Sequence, residues 1–279
     1  MERIRFWGRL FSFFCVPALL FNTYPAGLRA SEQSQHHVGP ADPNTGQESI
    51  FWSTLRTDIK NWPGRIINDS NDIFFSPSNL TALLLAGGAS IAMHNSGSDR
   101  HLADHVFDNR VFHGFIDESI NVIGGPGPHF AATTLWYVIS VKAGDDLNKQ
   151  RSWTMMTALA ITGLTTAGLK AIRDNRNPNG NRYAWPSGHT SSSFTVASML
   201  DEFYGPKIGI PAYLGAGLVA YRMMDTGDHW ASDVLFGSVL GWVVGHTVAG
   251  KHKKLEIAGF DVLPYTDSTA LGITFVRQF

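Results

Sequence analysis

The sequence predicts an all-α protein: a helical bundle of about six core helices with a short C-terminal β-hairpin. Three observations predict it. Charge-free segments recur at 81–93, 129–141, 152–169, 184–200, 208–221 and 234–250, long enough for helices. Several are apolar on most sides, the mark of helices buried among other helices. Gly and Ala recur within them, which lets helices pack closely. Charged residues make up only 16% of the 279 residues, well under the roughly 25% usual in soluble domains, which excludes a disordered chain. The net charge is −1 and no Lys/Arg run occurs, so no nucleic-acid partner is expected.

Residues 1–30 read as a signal peptide. Arg3, Arg5 and Arg9 precede a mostly apolar stretch from Leu10 to Phe21, and small residues end at Ala30. Twelve residues are too few for a spanning helix, which needs about 20. The only cysteine, Cys15, lies in this segment, so no disulfide or thiol chemistry is expected of the exported chain. Residues 31–78 read as a leader and peripheral segment, with turn signals at Trp62-Pro63-Gly64 and Ser76-Pro77-Ser78.

The bundle domain follows over 79–250. Gly124-Gly125-Pro126-Gly127-Pro128 cuts the charge-free run 119–141. Each charge-free segment is at or below the roughly 18 residues of a membrane span. The longest also carries Ser152, Thr154, Thr157, Thr162, Thr165 and Thr166. A soluble or surface-associated bundle is therefore favoured over a membrane-embedded one. In the tail, 251–279, apolar runs flank Tyr265-Thr266-Asp267-Ser268-Thr269 and suggest a hairpin.

Three clusters carry chemistry. Lys170, Arg173 and Arg176 with Pro178 end one helix. Pro186-Ser187-Gly188-His189 opens the next. Arg222, His229 and Asp233 form the third. Together they suit an oxyanion. Arginine matches phosphate oxygens bidentately, and backbone N–H groups at a helix N-terminus point toward an anion. Gly188 has no side chain to keep a phosphate away. His229 and Asp233, four apart, share a helical face, and a carboxylate beside an imidazole fixes its tautomer. That suits a histidine nucleophile and leaves His189 as general acid. No His-Glu-x-x-His and no carboxylate cluster is present, so no metal and no cofactor is expected.

Pro186-Ser187-Gly188-His189 and Arg222…His229-Trp230-Ala231-Ser232-Asp233 resemble signatures of the phosphatidic acid phosphatase type 2/vanadium haloperoxidase superfamily, and Lys170…Pro178 resembles its first motif. The resemblance is to a bacterial acid phosphatase-like member of it. The resemblance covers roughly 79–250. It implies a helical bundle with the active site between four core helices, a phosphohistidine formed on His229, Asp233 as its orienting partner and His189 as general acid. It further implies phosphate ligands at Lys170, Ser187 and Gly188, and Arg222 is similar to the arginine of its third motif. Two departures stand out. Asn177 occupies the place of the first-motif arginine, with Arg176 one step early. Six residues rather than five separate Arg222 from His229, so Met223 holds the usual arginine place. A local bulge or loop that returned the arginines would add Arg176 and Arg222 to the phosphate site.

The sequence thus points to an exported, periplasmic or envelope-associated, metal-independent phosphatase. Its substrates would be phosphate monoesters or lipid phosphates, and membrane association fits the latter. A vanadate-dependent haloperoxidase and a catalytically degenerate envelope protein of the same fold are the alternatives. Vanadate is expected as an inhibitor, or as prosthetic group in the first alternative.

Overall fold

The computed structural model describes residues 43–250 and parts of the tail. Residues 1–42 lie outside the described residues, and with them the expected signal peptide and most of the leader. Residues 51–279 form one compact unit.

Nine helices run through the described residues: α1 (Pro43–Phe74), α2 (Pro77–Asn95), α3 (Ser98–Asp108), α4 (Gly114–Ile123), α5 (Pro126–Ala143), α6 (Asp146–Arg173), α7 (Gly188–Tyr204), α8 (Pro206–Asp225) and α9 (Ala231–Val248). The all-α class and the six expected core helices, α2 and α5–α9, are present. Side chains of the tail lie outside the described residues. Its backbone is described only in short segments, of which Phe260–Thr266 and Leu271–Val276 run antiparallel, and the hairpin remains an expectation.

Three helices were not foreseen. α1 runs through Trp62-Pro63-Gly64 because tertiary contacts hold both sides of the proline. The Trp62 ring lies 5.3 Å from that of Trp153, its Nε1 donates to Thr157 Oγ1 at 3.1 Å, and Arg65 Nη2 donates to Thr154 Oγ1 at 2.7 Å. α3 and α4 are short and mixed in charge, so no apolar run announced them. The breaks at Ser76-Pro77 and Gly124-Gly125-Pro126 fall where expected, with proline opening α2 and α5.

α7 lies at the centre of the bundle. Against it, α9 brings Gly237, Gly241 and Gly245, spaced so that they share one face. A Cβ at Gly237 would stand 2.9 Å from Ser187 O, and one at Gly245 2.7 Å from Thr195 O. Any side chain there would force the helices apart. On its other side α7 meets α6 through buried hydroxyl pairs, Thr162–Thr195 at 2.8 Å and Thr166–Ser191 at 3.1 Å. Thr162 and Thr166 thus face a neighbouring helix, where they are satisfied, while Ser152 donates within its own helix to Asn148 O at 2.8 Å.

α6 and α9 are long and apolar enough to cross a membrane, and α1 with α2, bent by 71°, pass as a pair. α6 has 28 residues, more than the charge-free run inside it, because capping lengthens it: Asp145 accepts from Asn148 N at 2.9 Å, and Lys170 and Arg173 sit in the last turn, where the dipole favours cations. Leu84, Leu135, Leu164 and Leu214 of α2, α5, α6 and α8 are more than half exposed. These lengths and exposed apolar side chains favour membrane association over the soluble bundle.

Candidate active site

Two loops carry the site, one after α6 (174–187) and one between α8 and α9 (226–230), and they are stitched together. Asn177, buried, donates from Nδ2 to Asp228 O at 3.0 Å. Asn179 does the same to Thr226 O at 2.8 Å, and Trp230 Nε1 donates to Arg176 O at 2.7 Å. Asn177, which stands at the family's first-motif arginine place, is therefore a brace for the loop that bears His229.

His229 is buried between the ends of α8 and α9. Its N–H donates to Met223 O at 2.9 Å, and its Nδ1 lies 3.4 Å from Asp233 Oδ2. Asp233, fully buried on the first turn of α9, also accepts the Trp230 N–H at 3.0 Å. With the Asp233 carboxylate facing Nδ1, a proton there leaves the Nε2 lone pair available. Burial pushes the His229 imidazole below its ordinary value, with the Asp233 hydrogen bond acting against that shift.

Ser187 caps α7. Its Oγ accepts from Thr190 N at 3.3 Å and Thr190 Oγ1 at 2.9 Å, and its own N–H donates to Asp233 O at 3.1 Å. Ser187 is wholly buried. The first-turn N–H groups of Gly188 and His189 are among those a helix leaves without intrahelical acceptors, and a Cβ at Gly188 would meet nothing nearer than Thr166 Cγ2 at 3.8 Å.

Lys170, in the last turn of α6, donates from Nζ to Tyr183 O at 2.5 Å and Ala184 O at 2.9 Å. An ammonium has three N–H groups, so one remains for a ligand. Its charge acts on Asp233 and His229.

The arginines divide. Arg222 is buried in the last turn of α8, and its charge acts on His189. α8 runs unbroken to Asp225, so no bulge is needed: the extra residue is taken up in the turn at Thr226–Asp228, where Gly227 has φ 69°. Met223, at the family's arginine place, is packed instead in an apolar cluster with Ala220 and Val234. Arg176 is exposed and turns back to Gly180 O at 2.6 Å. Arg173 lies over the Trp185 ring, 5.0 Å from its centroid.

Sequence reasoning missed several neighbours. Asp117 and Asn121 of α4 and Asp228 all bond Arg222. His129, at the start of α5, has its Nδ1 3.2 Å from Ser192 Oγ and acts on His189 together with His229, Arg222 and Asp228. Asp228, adjoining His229, was readable as a carboxylate beside that histidine; the others sit in segments with no motif. Among the described residues, no three His, Cys, Asp or Glu side chains are grouped as metal ligands would be.

Residues 121–256 match the PAP2 superfamily model and include most of this site. The chain is 30% identical over 106 residues to the lipid A 1-phosphatase of Porphyromonas gingivalis, an overlap of 35% of this chain and 24% of that protein. The chain thus spans about a quarter of the length of that curated relative. Among solved structures, the first transmembrane PAP2-type phosphatidylglycerolphosphate phosphatase from Bacillus subtilis is similar with a TM-score of 0.51 and 18% identity, over 65% of this chain and 100% of that one. Aquifex aeolicus LpxE matches with a TM-score of 0.45 and 18% identity, over 53% of this chain and 92% of that one. With the helical fold and the motif residues gathered at one end of it, the chain belongs over residues 121–256 to the PAP2 superfamily.

Proposed function

We propose that the protein is a membrane-associated phosphatase that removes phosphate from lipid phosphates through a phosphohistidine on His229, without a metal ion. The observation that carries this reading is the buried His229–Asp233 pair, which lies in the field of Lys170 and close enough to His189 for their charges to interact. Lipid phosphatases among the relatives and the apolar helices α6 and α9 support the substrate class.

In this mechanism the phosphate oxygens lie against the Gly188 and His189 N–H groups, the remaining Lys170 N–H and Arg222. Ser187 holds that helix end in place. These donors stabilise the charge of the phosphoryl group in transfer. Asp233 keeps the proton of His229 on Nδ1, and the Nε2 lone pair attacks phosphorus. The bond to the leaving oxygen breaks as His189 gives that oxygen a proton. Water then attacks the phosphohistidine, His189 takes a proton from it, the P–N bond breaks, and phosphate leaves with His229 restored.

The test is phosphate release from phosphatidate in detergent micelles. His229→Ala should lose at least about three decades of kcat, as nucleophile deletions do, and should form no acid-labile phosphoprotein. EDTA should leave wild-type turnover intact and vanadate should inhibit it as a transition-state mimic. More than a tenth of the activity in His229→Ala, or EDTA inhibition reversed by Mg²⁺ or Zn²⁺, would overturn the mechanism.

A further inference from the structure

Arg222 has more partners than a phosphate ligand needs. Its Nε donates to Asp117 Oδ1 at 2.6 Å. Its Nη1 donates to Asp228 Oδ2 at 2.7 Å and to Asn121 Oδ1 at 3.2 Å. Two carboxylates thus share one guanidinium. They differ in place. Asp117 belongs to α4 and is tied to Arg110 at 3.1 Å, while the turn before α4 is pinned by Asp225, which accepts from Val111 N and Phe112 N at 2.8 and 2.9 Å. Asp228 lies in the extra-residue turn directly before His229. Its carboxylate is 40% exposed, against 17% for Asp117, and is steadied by Thr226 Oγ1 at 2.8 Å. Its charge acts on both His189 and His229, and that of Asp117 on neither.

We infer that Asp228 is a specificity-determining counter-anion: it competes with the substrate and product phosphate for Arg222, holding down the affinity for phosphate and hastening its release. This inference rests on the reading of Arg222 as a phosphate ligand. Asp117 and Asn121 hold the guanidinium from behind, so Arg222 stays aimed when Asp228 yields it. A phosphate dianion entering beside His229 meets Asp228 as a like charge and takes over its N–H donor, and Asp228 reclaims that donor as product departs. Such competition weakens the bound ground state and the product complex together. The additional residue between Arg222 and His229 thereby acquires a purpose, since it brings a carboxylate into a position between the arginine and the nucleophile.

The experiment measures inhibition by inorganic phosphate during hydrolysis of a short-chain phosphatidate, with the full chain in detergent. Variants are Asp228→Asn, Asp228→Ser, Asp117→Asn, Arg222→Ala and Arg222→Ala combined with Asp228→Asn. A buried charged partner would be worth up to about a hundredfold, and exposure to solvent screens this one. Asp228→Asn and Asp228→Ser should therefore each lower the phosphate inhibition constant by about fivefold. KM should fall in parallel and kcat should drop as release slows. Arg222→Ala should erase the gain, and Asp117→Asn should give less than half of it. Unchanged or weaker phosphate inhibition in both Asp228 variants, with Arg222→Ala still weakening it, overturns this inference and leaves the phosphatase reading standing. Equal effects of Asp117→Asn and Asp228→Asn also overturn it, because they reduce it to net charge. If Arg222→Ala changes neither the inhibition constant nor KM, the placement of phosphate on Arg222 fails, and this inference with it.

Discussion

The backbone N–H of Ser187 donates to the carbonyl of Asp233 at 3.1 Å. This one bond joins the cap of α7, whose first-turn N–H groups lack intrahelical acceptors, to the residue whose carboxylate faces His229 Nδ1. The two halves of the site are therefore registered by main chain rather than by long side chains. Gly237 makes the approach possible, since any side chain there would press on Ser187 O.

Asp233→Asn should lower kcat at least about a hundredfold while KM moves little, because an amide can present its NH₂ to Nδ1 and stabilise the wrong tautomer. The Trp230 N–H bonds the same Asp233 oxygen that faces Nδ1, so an NH₂ turned toward Nδ1 also gives up that bond and should lower stability. Phosphate release kinetics and a circular-dichroism melt together check this. A stable variant with kcat within threefold of wild type would remove Asp233 from the mechanism.

The arginines separate by an alanine scan read as kcat/KM on one lipid phosphate. Arg222→Ala should cost about 2–4 kcal/mol of transition-state stabilisation, the range for one preorganised donor. Arg176→Ala should stay within twofold of wild type, because its exposed guanidinium is spent on Gly180 O. Arg173→Ala loses a stacking contact with Trp185 and should lower stability more than rate. A large rate loss at Arg176 would mean that the first-motif loop rearranges around substrate.

Much of this was legible because it depends on local pattern. The six core helices follow from apolar runs between charges, and the cap at Ser187 and the break at Pro126 from residue chemistry alone. His229 and Asp233 share a helical face by their spacing, and Lys170 follows from the resemblance to the family's first motif. What failed depended on distant partners. Pro63 marked a turn, but Trp62 and Arg65 dock on α6 residues about ninety positions away and hold α1 straight. Asp117 and Asn121 reach Arg222 across more than a hundred residues, and no periodicity encodes that. Counting charge-free residues rather than helical ones favoured the soluble bundle: caps and terminal charges add length to α6 that the apolar run does not contain.

The burial of His229 sets a pH dependence. Attack needs the neutral imidazole, and a lowered value keeps it neutral below its ordinary 6.5. The acid limb of kcat/KM that belongs to His229 should therefore lie below about pH 6.5. The same shift appears in stability. Below that pH the unfolded chain binds a proton that the folded chain resists, so stability declines as pH falls from about 6.5. His229→Gln, neutral throughout, should flatten that part of the slope in thermal unfolding. An acid limb above pH 7 would show instead that Asp233 outweighs burial and stabilises the imidazolium.

Asp99 supports the site from outside it. It is buried at the start of α3, and its Oδ1 accepts the Ser232 N–H at 2.9 Å while Oδ2 accepts the Ser232 hydroxyl at 2.5 Å. Its carboxylate thus sits at the positive end of α9, one residue from Asp233. Ser90 Oγ donates to Ser232 O at 3.1 Å and accepts from Trp185 Nε1 at 3.0 Å, so the same serine ties α9 to α2 and to the loop before Ser187. Asp99→Ala would orphan both Ser232 donors and should cost about 2–4 kcal/mol, given about 1–3 kcal/mol for each buried group left unsatisfied. Asp99→Asn keeps one acceptor oxygen for the Ser232 N–H and can donate its NH₂ to the Ser232 hydroxyl oxygen, so it should cost less than half as much. Because Ser232 fixes the first turn of α9, kcat should fall in Asp99→Ala even at temperatures where the variant is folded, with KM nearly constant. Denaturation in detergent gives the stability and initial rates give the split. Full kcat in a destabilised Asp99→Ala would assign Asp99 to folding alone.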